Sequence, residues 1–362
     1  MTNAGIYLEL SDEQQFLLEA ARGTLERRPT ISAAREALDD RSARLDLWAT
    51  SIEAGWTGLL SAEEVDGAGL GAYEAMLVLE ACGGALADAG LIGHLPAVAL
   101  LEHAGADRDL RAALAAGEQR AALVAPNFEV TIDAAGADVL VVIDTWGEGA
   151  RLIDTGTAEA ATAVGVRAQD SYDATRSLAA VSIDASAGVP LAVGRGASKD
   201  AVALQRALLA ADSVGAATAC LQMANEYAID RHAFGRPIGS YQAIKHKLVE
   251  MLRRIENARS LLVEAGRAWS LQRDEFALYA NAARVVAADA LDYCAPENIF
   301  IHGGVGATWE HDAQLYYRRA ELSRRLCGGA EAAADAVAGE LLERSGQRPA
   351  ASVNGSAHIA LS

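Results

Sequence analysis

The sequence predicts a mainly α-helical chain with a small β middle domain. Three observations carry that reading: helical spacing over the first hundred-odd residues, short β-type runs from about Ala121, and stronger, longer helical repeats from Lys199 onward. The expected organisation is an N-terminal helical domain over 1–118, a short antiparallel β-domain over 119–197, a C-terminal helical bundle over 198–345 and a disordered tail over 346–362.

Taken in order, Ser11 can cap a helix that runs through Phe16, Leu17 and Ala20 to about Arg27, with Gln14 placed for a capping box. Leu45 to Ala54 reads as a second amphipathic segment and Tyr73 to Ala85 as a third. Between them, Asp66-Gly67-Ala68-Gly69-Leu70-Gly71 is a turn-rich loop. The β-type runs are Ala122 to Val124, Val139 to Ile143, Ala161 to Val166 and Leu178 to Ile183, separated by Gly, Asp and Thr. Beyond them, Leu204, Leu208, Ala211, Gly215, Thr218 and Leu221 recur at three- and four-residue steps, as do Ile244, Leu248, Met251, Ile255, Ala258 and Leu262. Helices this long pack as bundles, and three more follow, over about Glu275–Tyr293, Gln314–Arg325 and Ala330–Glu343.

Composition narrows the function. The 362 residues are 51% hydrophobic, enough for two or three domains with their own cores. The four cysteines, Cys82, Cys220, Cys294 and Cys327, form no CxxC pair, so neither a disulfide framework nor a metal site is expected. No signal peptide and no apolar run of membrane-spanning length is legible, which fits a cytoplasmic protein with no membrane partner. A net charge of -18 repels phosphate backbones, so no nucleic-acid partner is expected and an anionic ligand would need a local basic pocket. Arg231, His232, Arg236, Lys245, His246 and Lys247 make one. His94, His103, His311 and His358 form no ligand pattern, and Trp269 and Trp309 read as core positions.

The basic stretch runs Arg231-His232-Ala233-Phe234-Gly235-Arg236-Pro237-Ile238-Gly239-Ser240-Tyr241-Gln242 between two long helices. It offers a guanidinium fork, an aromatic face and Gln242 near a helix N-terminus, where exposed amides favour anions. On spacing alone it also reads as a basic interhelical turn. The order RxxFGxPIxxxQ is similar to the signature of the acyl-CoA dehydrogenases. Ile301-His302-Gly303-Gly304-Val305-Gly306 resembles that family's HGGxG turn, and Tyr316-Tyr317-Arg318-Arg319-Ala320 resembles its YYRDA. Gly55-Trp56-Thr57-Gly58-Leu59 and Gly67-Ala68-Gly69-Leu70 look like its N-terminal loops, so the resemblance spans nearly the whole chain.

The resemblance implies an N-terminal helical domain, a reduced β-domain and a C-terminal four-helix bundle, assembled so that an FAD spans two subunits. Carried over residue by residue, Arg231 would meet the FAD pyrophosphate, Phe234 would pack on the cofactor and Gln242 would hydrogen-bond its adenosine half. Gly303 and Gly304 would permit close backbone approach, Phe300 stands where the family has a glutamine, and Glu331 matches a contact near the flavin. Glu331 reads equally as a first-turn carboxylate that favours a helix dipole. His302 reads as a backbone-bonded turn residue.

The family reaction removes an α-proton from an acyl-CoA with a glutamate while the β-hydrogen leaves as hydride to the flavin. At the usual position of that base the sequence reads Leu326-Cys327-Gly328-Gly329, and at the alternative position Leu204-Gln205-Arg206. No glutamate stands at either, so no catalytic residue is assigned; Cys327 reads as packing. The expected flavin-lining strand is replaced by Leu123-Val124-Ala125-Pro126-Asn127-Phe128. The resemblance thus implies the base-less subunit of an α2β2 enzyme, like those of actinobacteria that act on steroid-derived acyl-CoA. A homologous glutamate-bearing partner and an electron-transfer flavoprotein or similar acceptor would complete it. Two other readings stay open: a self-sufficient dehydrogenase with an unrecognised base, and a flavin-free acyl-CoA-binding or scaffold protein.

Overall fold

The computed structural model describes residues 10–126, 128–144 and 148–346. Of the expected tail over 346–362, all but Gly346 lies outside the described residues, as does Asn127.

Helix α1 (Asp12–Glu26) starts at the expected capping box, with Ser11 and Gln14 exchanging side-chain and backbone bonds. Gln14 also donates to Glu74 at 2.8 Å, tying α1 to α4 (Ala72–Gly84). The chain between them holds α2 (Thr30–Asp39) and α3 (Trp48–Glu53), the latter shorter than its amphipathic segment. Then come α5 (Leu91–His103) and α6 (Arg108–Ala115), the latter capped by Asp107. Helix α5 left no amphipathic period in the sequence because it is buried almost all round, and an apolar helix without a wet face has no stripe. His94 on α5 is fully buried; its Nδ1 accepts from the amide of Ala121 at 3.1 Å, which joins α5 to the first strand. Burial pushes that imidazole down to about 4, so it is neutral.

The middle segment makes two small sheets. In the first, β1 (Ala121–Val124), β3 (Val139–Ile143), β4 (Ala150–Asp154) and β7 (Val189–Leu191) lie in the order β1-β3-β4-β7. In the second, β2 (Thr131–Ile132), β6 (Leu178–Ile183) and β5 (Val164–Ala168) lie in the order β2-β6-β5. One pairing departs from the antiparallel expectation: β1 and β3 are parallel, Ala121 opposite Val139, because the chain between them leaves to form β2. The run Ala161–Val166 also splits, its start forming the turn of helix α7 (Ala160–Ala163). Alternation on β3 is hidden by double burial. Val139, Val141 and Ile143 pack with α5 and α6, whereas Leu140 and Val142 pack with the second sheet.

The bundle is α8 (Arg195–Asp230), α9 (Gln242–Leu271), α10 (Arg273–His302) and α12 (Gly329–Arg344), with α11 (Ala313–Ser323) across α8 and α10. Helix α10 runs nine residues past its expected end, carrying Pro296 inside it. Short connections make α8, α9 and α10 successive antiparallel neighbours. By length and composition α8 could cross a membrane, but 72% of its most apolar window is buried in the molecule. It is the axis of the core that joins bundle and N-terminal helices.

Candidate functional site

Helix α8 stops where Arg231 turns extended, at φ -77° and ψ 122°. A two-residue hairpin follows, pairing β8 (His232–Ala233) with β9 (Arg236–Pro237). Its turn residues Phe234 and Gly235 have φ of 52° and 77°, the left-handed pair that a tight hairpin turn demands. For phenylalanine that conformation is strained, and its ring is 97% exposed. The hairpin is braced from behind: the Tyr241 hydroxyl donates to Ala233 O at 3.0 Å, and the Arg236 guanidinium lies 4.1 Å over the Tyr241 ring. Arg231 and Gln242 are both exposed, and the first-turn amides of α9 have no side-chain cap.

The second motif lies at the same end of the bundle. Tyr227, in the last turn of α8, stacks on His302 with ring centroids 4.4 Å apart, and His302 meets His311 at 4.3 Å. His302 Nδ1 donates to Asn298 O at 2.8 Å, so this imidazole holds the end of α10 as its turn reading anticipates. Gly303 takes φ 64° and ψ -142°, a conformation open to glycine, and a Cβ on Gly303 or Gly304 would meet nothing within 4 Å. Phe300 is 61% exposed and lies 4.4 Å under Lys247 Nζ, which pairs with Glu297 at 2.6 Å. Trp309 is not a core residue: it is 46% exposed, with its carbonyl accepting from Arg35.

Gln205, Cys327 and Glu331 lie elsewhere. Gln205 and Arg231 are on one helix about 26 residues apart, or about 39 Å at its rise per residue. Gln205 is buried, and its Oε1 has no partner among the described residues. Cys327 is buried in a left-handed turn at φ 55°, and burial pushes its thiol up to about 11 despite Arg284 and Arg206 nearby. Arg206 Nε donates to Cys327 O at 3.1 Å and Nη1 to Asn281 Oδ1 at 2.7 Å, while Arg284 Nη2 donates to the carbonyls of Ser323 and Leu326. Two buried cations thus hold the loop, and neither has an ion pair among the described residues. Glu331 is exposed in the first turn of α12.

Sequence reasoning missed a buried ionic network beside this loop. Arg319 of α11 bonds Asp173 Oδ2 at 2.8 Å, Asp212 Oδ1 at 2.8 Å and Thr175 Oγ1 at 2.6 Å, and Arg176 bonds Asp212 Oδ2 at 2.5 Å. Burial would raise the Asp173 carboxyl, but Arg319 and Arg176 together hold it below the usual range. Asp133, buried in the same region at φ 62°, accepts from Gly93 N at 2.8 Å and has its other oxygen unpartnered. Burial and then Asp88 push its carboxyl up to about 7. The one sequence signal was Arg319 in the Tyr-Tyr-Arg-Arg-Ala run.

This arrangement of helices, sheets and bundle matches known proteins. Residues 11–116 match the acyl-CoA dehydrogenase N-terminal domain and residues 193–342 the acyl-CoA dehydrogenase C-terminal domain. The chain belongs to the acyl-CoA dehydrogenase family. It is 35% identical to the acyl-CoA dehydrogenase IpdE2 of Mycobacterium tuberculosis over 87% of this chain and 93% of that protein. It is 34% identical to IpdE2 of Mycolicibacterium smegmatis over 88% and 96%. Among solved acyl-CoA dehydrogenase folds, the Tcur3481-Tcur3483 steroid ACAD G363A variant superposes with a TM-score of 0.82 at 23% identity, covering 94% of this chain and 100% of that one. The ChsE4-ChsE5 complex of Mycobacterium tuberculosis superposes with 0.78 at 22%, covering 94% and 99%. Both share the layout of N-terminal helices, middle sheets and helical bundle. Membership places the chain in a family of FAD-dependent oxidoreductases.

Proposed function

We propose that this chain is the non-catalytic subunit of a heteromeric acyl-CoA dehydrogenase and completes the FAD site of a homologous partner that brings the glutamate. The observation that carries this is the filling of both base positions by groups unfit for the task. An amide has no useful basicity, and a thiol at about 11 keeps almost no thiolate at neutral pH.

The outward end of the bundle suits the complementary role. Bound FAD would accept the hydride that leaves the acyl chain. Arg231 would give its pyrophosphate forked, charge-assisted hydrogen bonds, Phe234 would cover it, Gln242 would bond the adenosine half, and Phe300, Gly303 and Gly304 would line the close approach. These residues face away from their own subunit, about 39 Å along α8 from Gln205, which suits a cofactor held across a subunit boundary. A strained, fully exposed Phe234 also makes sense only with something covering it. On α9, Val249 and Leu252 are 63% and 45% exposed, the apolar surface a partner subunit would bury. An α2β2 assembly, a steroid-type acyl-CoA and an electron-transfer flavoprotein as acceptor follow by analogy with the steroid ACAD and ChsE4-ChsE5 complexes and with the family reaction.

Asp133 favours a second reading, a self-sufficient enzyme, because a carboxyl at about 7 lies within electrostatic reach of Cys327. Absorbance and native mass decide between them, measured on the chain alone and co-expressed with a glutamate-bearing homologue. The proposal expects a colourless chain that becomes a yellow complex with one FAD per heteropair, whose FAD occupancy drops in Arg231→Ala and Phe234→Ala. A yellow homo-oligomer whose flavin is reduced by an acyl-CoA, and no longer so in Asp133→Asn, would establish the second reading instead.

A further inference from the structure

Where α4 crosses α8 a cleft of about 660 Å3 opens, with its outer wall made by the end of α1, the linker Arg28-Pro29 and the first turn of α2. None of its lining residues belongs to the Cys327 loop or to the bundle end that carries Arg231. Ala81, Gly84 and Ala85 of α4 and Gly215 and Ala219 of α8 supply a floor with no side chain longer than a methyl group. Glu80 and Thr218 on the same helix faces are occupied with Arg259, which bonds them at 2.8 Å and 3.2 Å. On α8 the lining runs from Gly215 to Gln222, about 10 Å at the rise of a helix, which is the length of a small fused-ring body.

The α2 wall is polar and under-used. Thr30 is 7% exposed, and its hydroxyl has no hydrogen-bond partner among the described residues. Helix α2 has no side-chain cap, and the amides of Ile31 and Ser32, which line the cleft, have no acceptor among the described residues either. Arg22 lines the same cleft without an ion pair among the described residues, and Arg28 is paired with exposed Glu53. Of the two lining carboxylates Glu80 is matched by Arg259, which leaves Glu26 to face these donors. Donors therefore outnumber acceptors. A buried hydroxyl and free helix amides favour an anion, a guanidinium fork strengthens its hold, and the bare floor favours a flat apolar body.

We propose that this cleft binds a flat organic anion, with its carboxylate or phosphate group held by the Thr30 hydroxyl, the Ile31 and Ser32 amides and Arg22, and its ring body on the glycine and alanine floor. The site goes beyond the reading of the chain as a non-catalytic subunit and does not depend on it.

The test is calorimetric titration of the full chain, in the assembly in which it purifies, with naphthoate, naphthyl phosphate and the neutral naphthalenemethanol, and with inorganic phosphate as the head group alone. The better of the two aromatic anions binds at least about tenfold more tightly than the alcohol, the difference expected of one charge-assisted contact, and its identity assigns the head group as carboxylate or phosphate. Arg22→Gln, at an exposed position, weakens that anion several-fold at an unchanged melting temperature, and Thr30→Val weakens it likewise. Gly84→Leu abolishes binding by filling the cleft, since a Cβ on Gly84 makes only ordinary contact, 3.6 Å from Gly215 O. Arg231→Ala, at the far end of α8, leaves binding unchanged. Equal binding of anions and alcohol, inorganic phosphate bound as tightly as naphthyl phosphate, no effect of Gly84→Leu, or a loss of binding in Arg231→Ala would each overturn the proposal.

Discussion

Asp133 shows how much one side chain depends on its surroundings. Nothing in Thr-Ile-Asp-Ala announces a perturbed group; the shift arises because the fold buries the carboxyl and sets Asp88 beside it, with Arg176 and Arg44 only partly offsetting both. A folded-state value raised to about 7 means that the folded chain holds this proton more tightly than the unfolded one. The stability it confers is therefore complete below the unfolded value of about 4 and lost as pH rises through 7. Asp133→Asn keeps the bond from Gly93 within reach but removes the titration. Its melting temperature should accordingly fall less than that of the wild type between pH 5 and pH 8, by at least about 3 °C in differential scanning calorimetry. An equal fall in both proteins would mean that Asp133 is not the titrating group.

At the scale of elements, the contact that sets the geometry is the crossing of α4 and α8. A Cβ on Gly215 would stand 1.9 Å from Glu80 O, and one on Gly83 would stand 1.9 Å from Asp212 O, so the two helices touch backbone to backbone. Neither glycine adopts a left-handed conformation; both are there for room. Gly215→Val should force the helices apart and cost about 3 kcal/mol or more, read as a drop in the urea midpoint. Gly304→Ala, into open space, should leave that midpoint unchanged while lowering FAD occupancy of the complex. The amphipathic elements were legible because their apolar residues recur with the period of a half-wet helix, as in α1 and α9. Buried helix α5 was poorly legible for the opposite reason, whereas doubly covered strand β3 was legible as the continuous apolar run Val139–Ile143, without alternation.

For the molecule as a whole, Arg319 is the tie between layers, joining α11, α8 and the segment after β5 through Asp212, Asp173 and Thr175. Removing it leaves buried Asp173 without an ion pair among the described residues and Asp212 with Arg176 alone. Arg319→Met should cost about 3–5 kcal/mol, read as a lower melting temperature, whereas an exposed pair such as Arg28 with Glu53 should cost under about 1 kcal/mol when broken. A loss from Arg319→Met no larger than from Arg28→Met would show that the network does not join the layers.

The sequence by itself determined the succession of helices, short strands and long bundle helices, and the absence of a glutamate at either base position, because periodicity and residue identity are local properties. It also set Arg231, Phe234 and Gln242 in one basic stretch between two long helices. Only the tertiary structure decided that Phe234 is strained and bare, that β1 and β3 run parallel, and that Arg206 and Arg284 both hold the Cys327 loop without a counter-ion among the described residues. Those facts depend on chain segments tens to more than a hundred residues apart, and burial, charge compensation and register exist only once those segments have met.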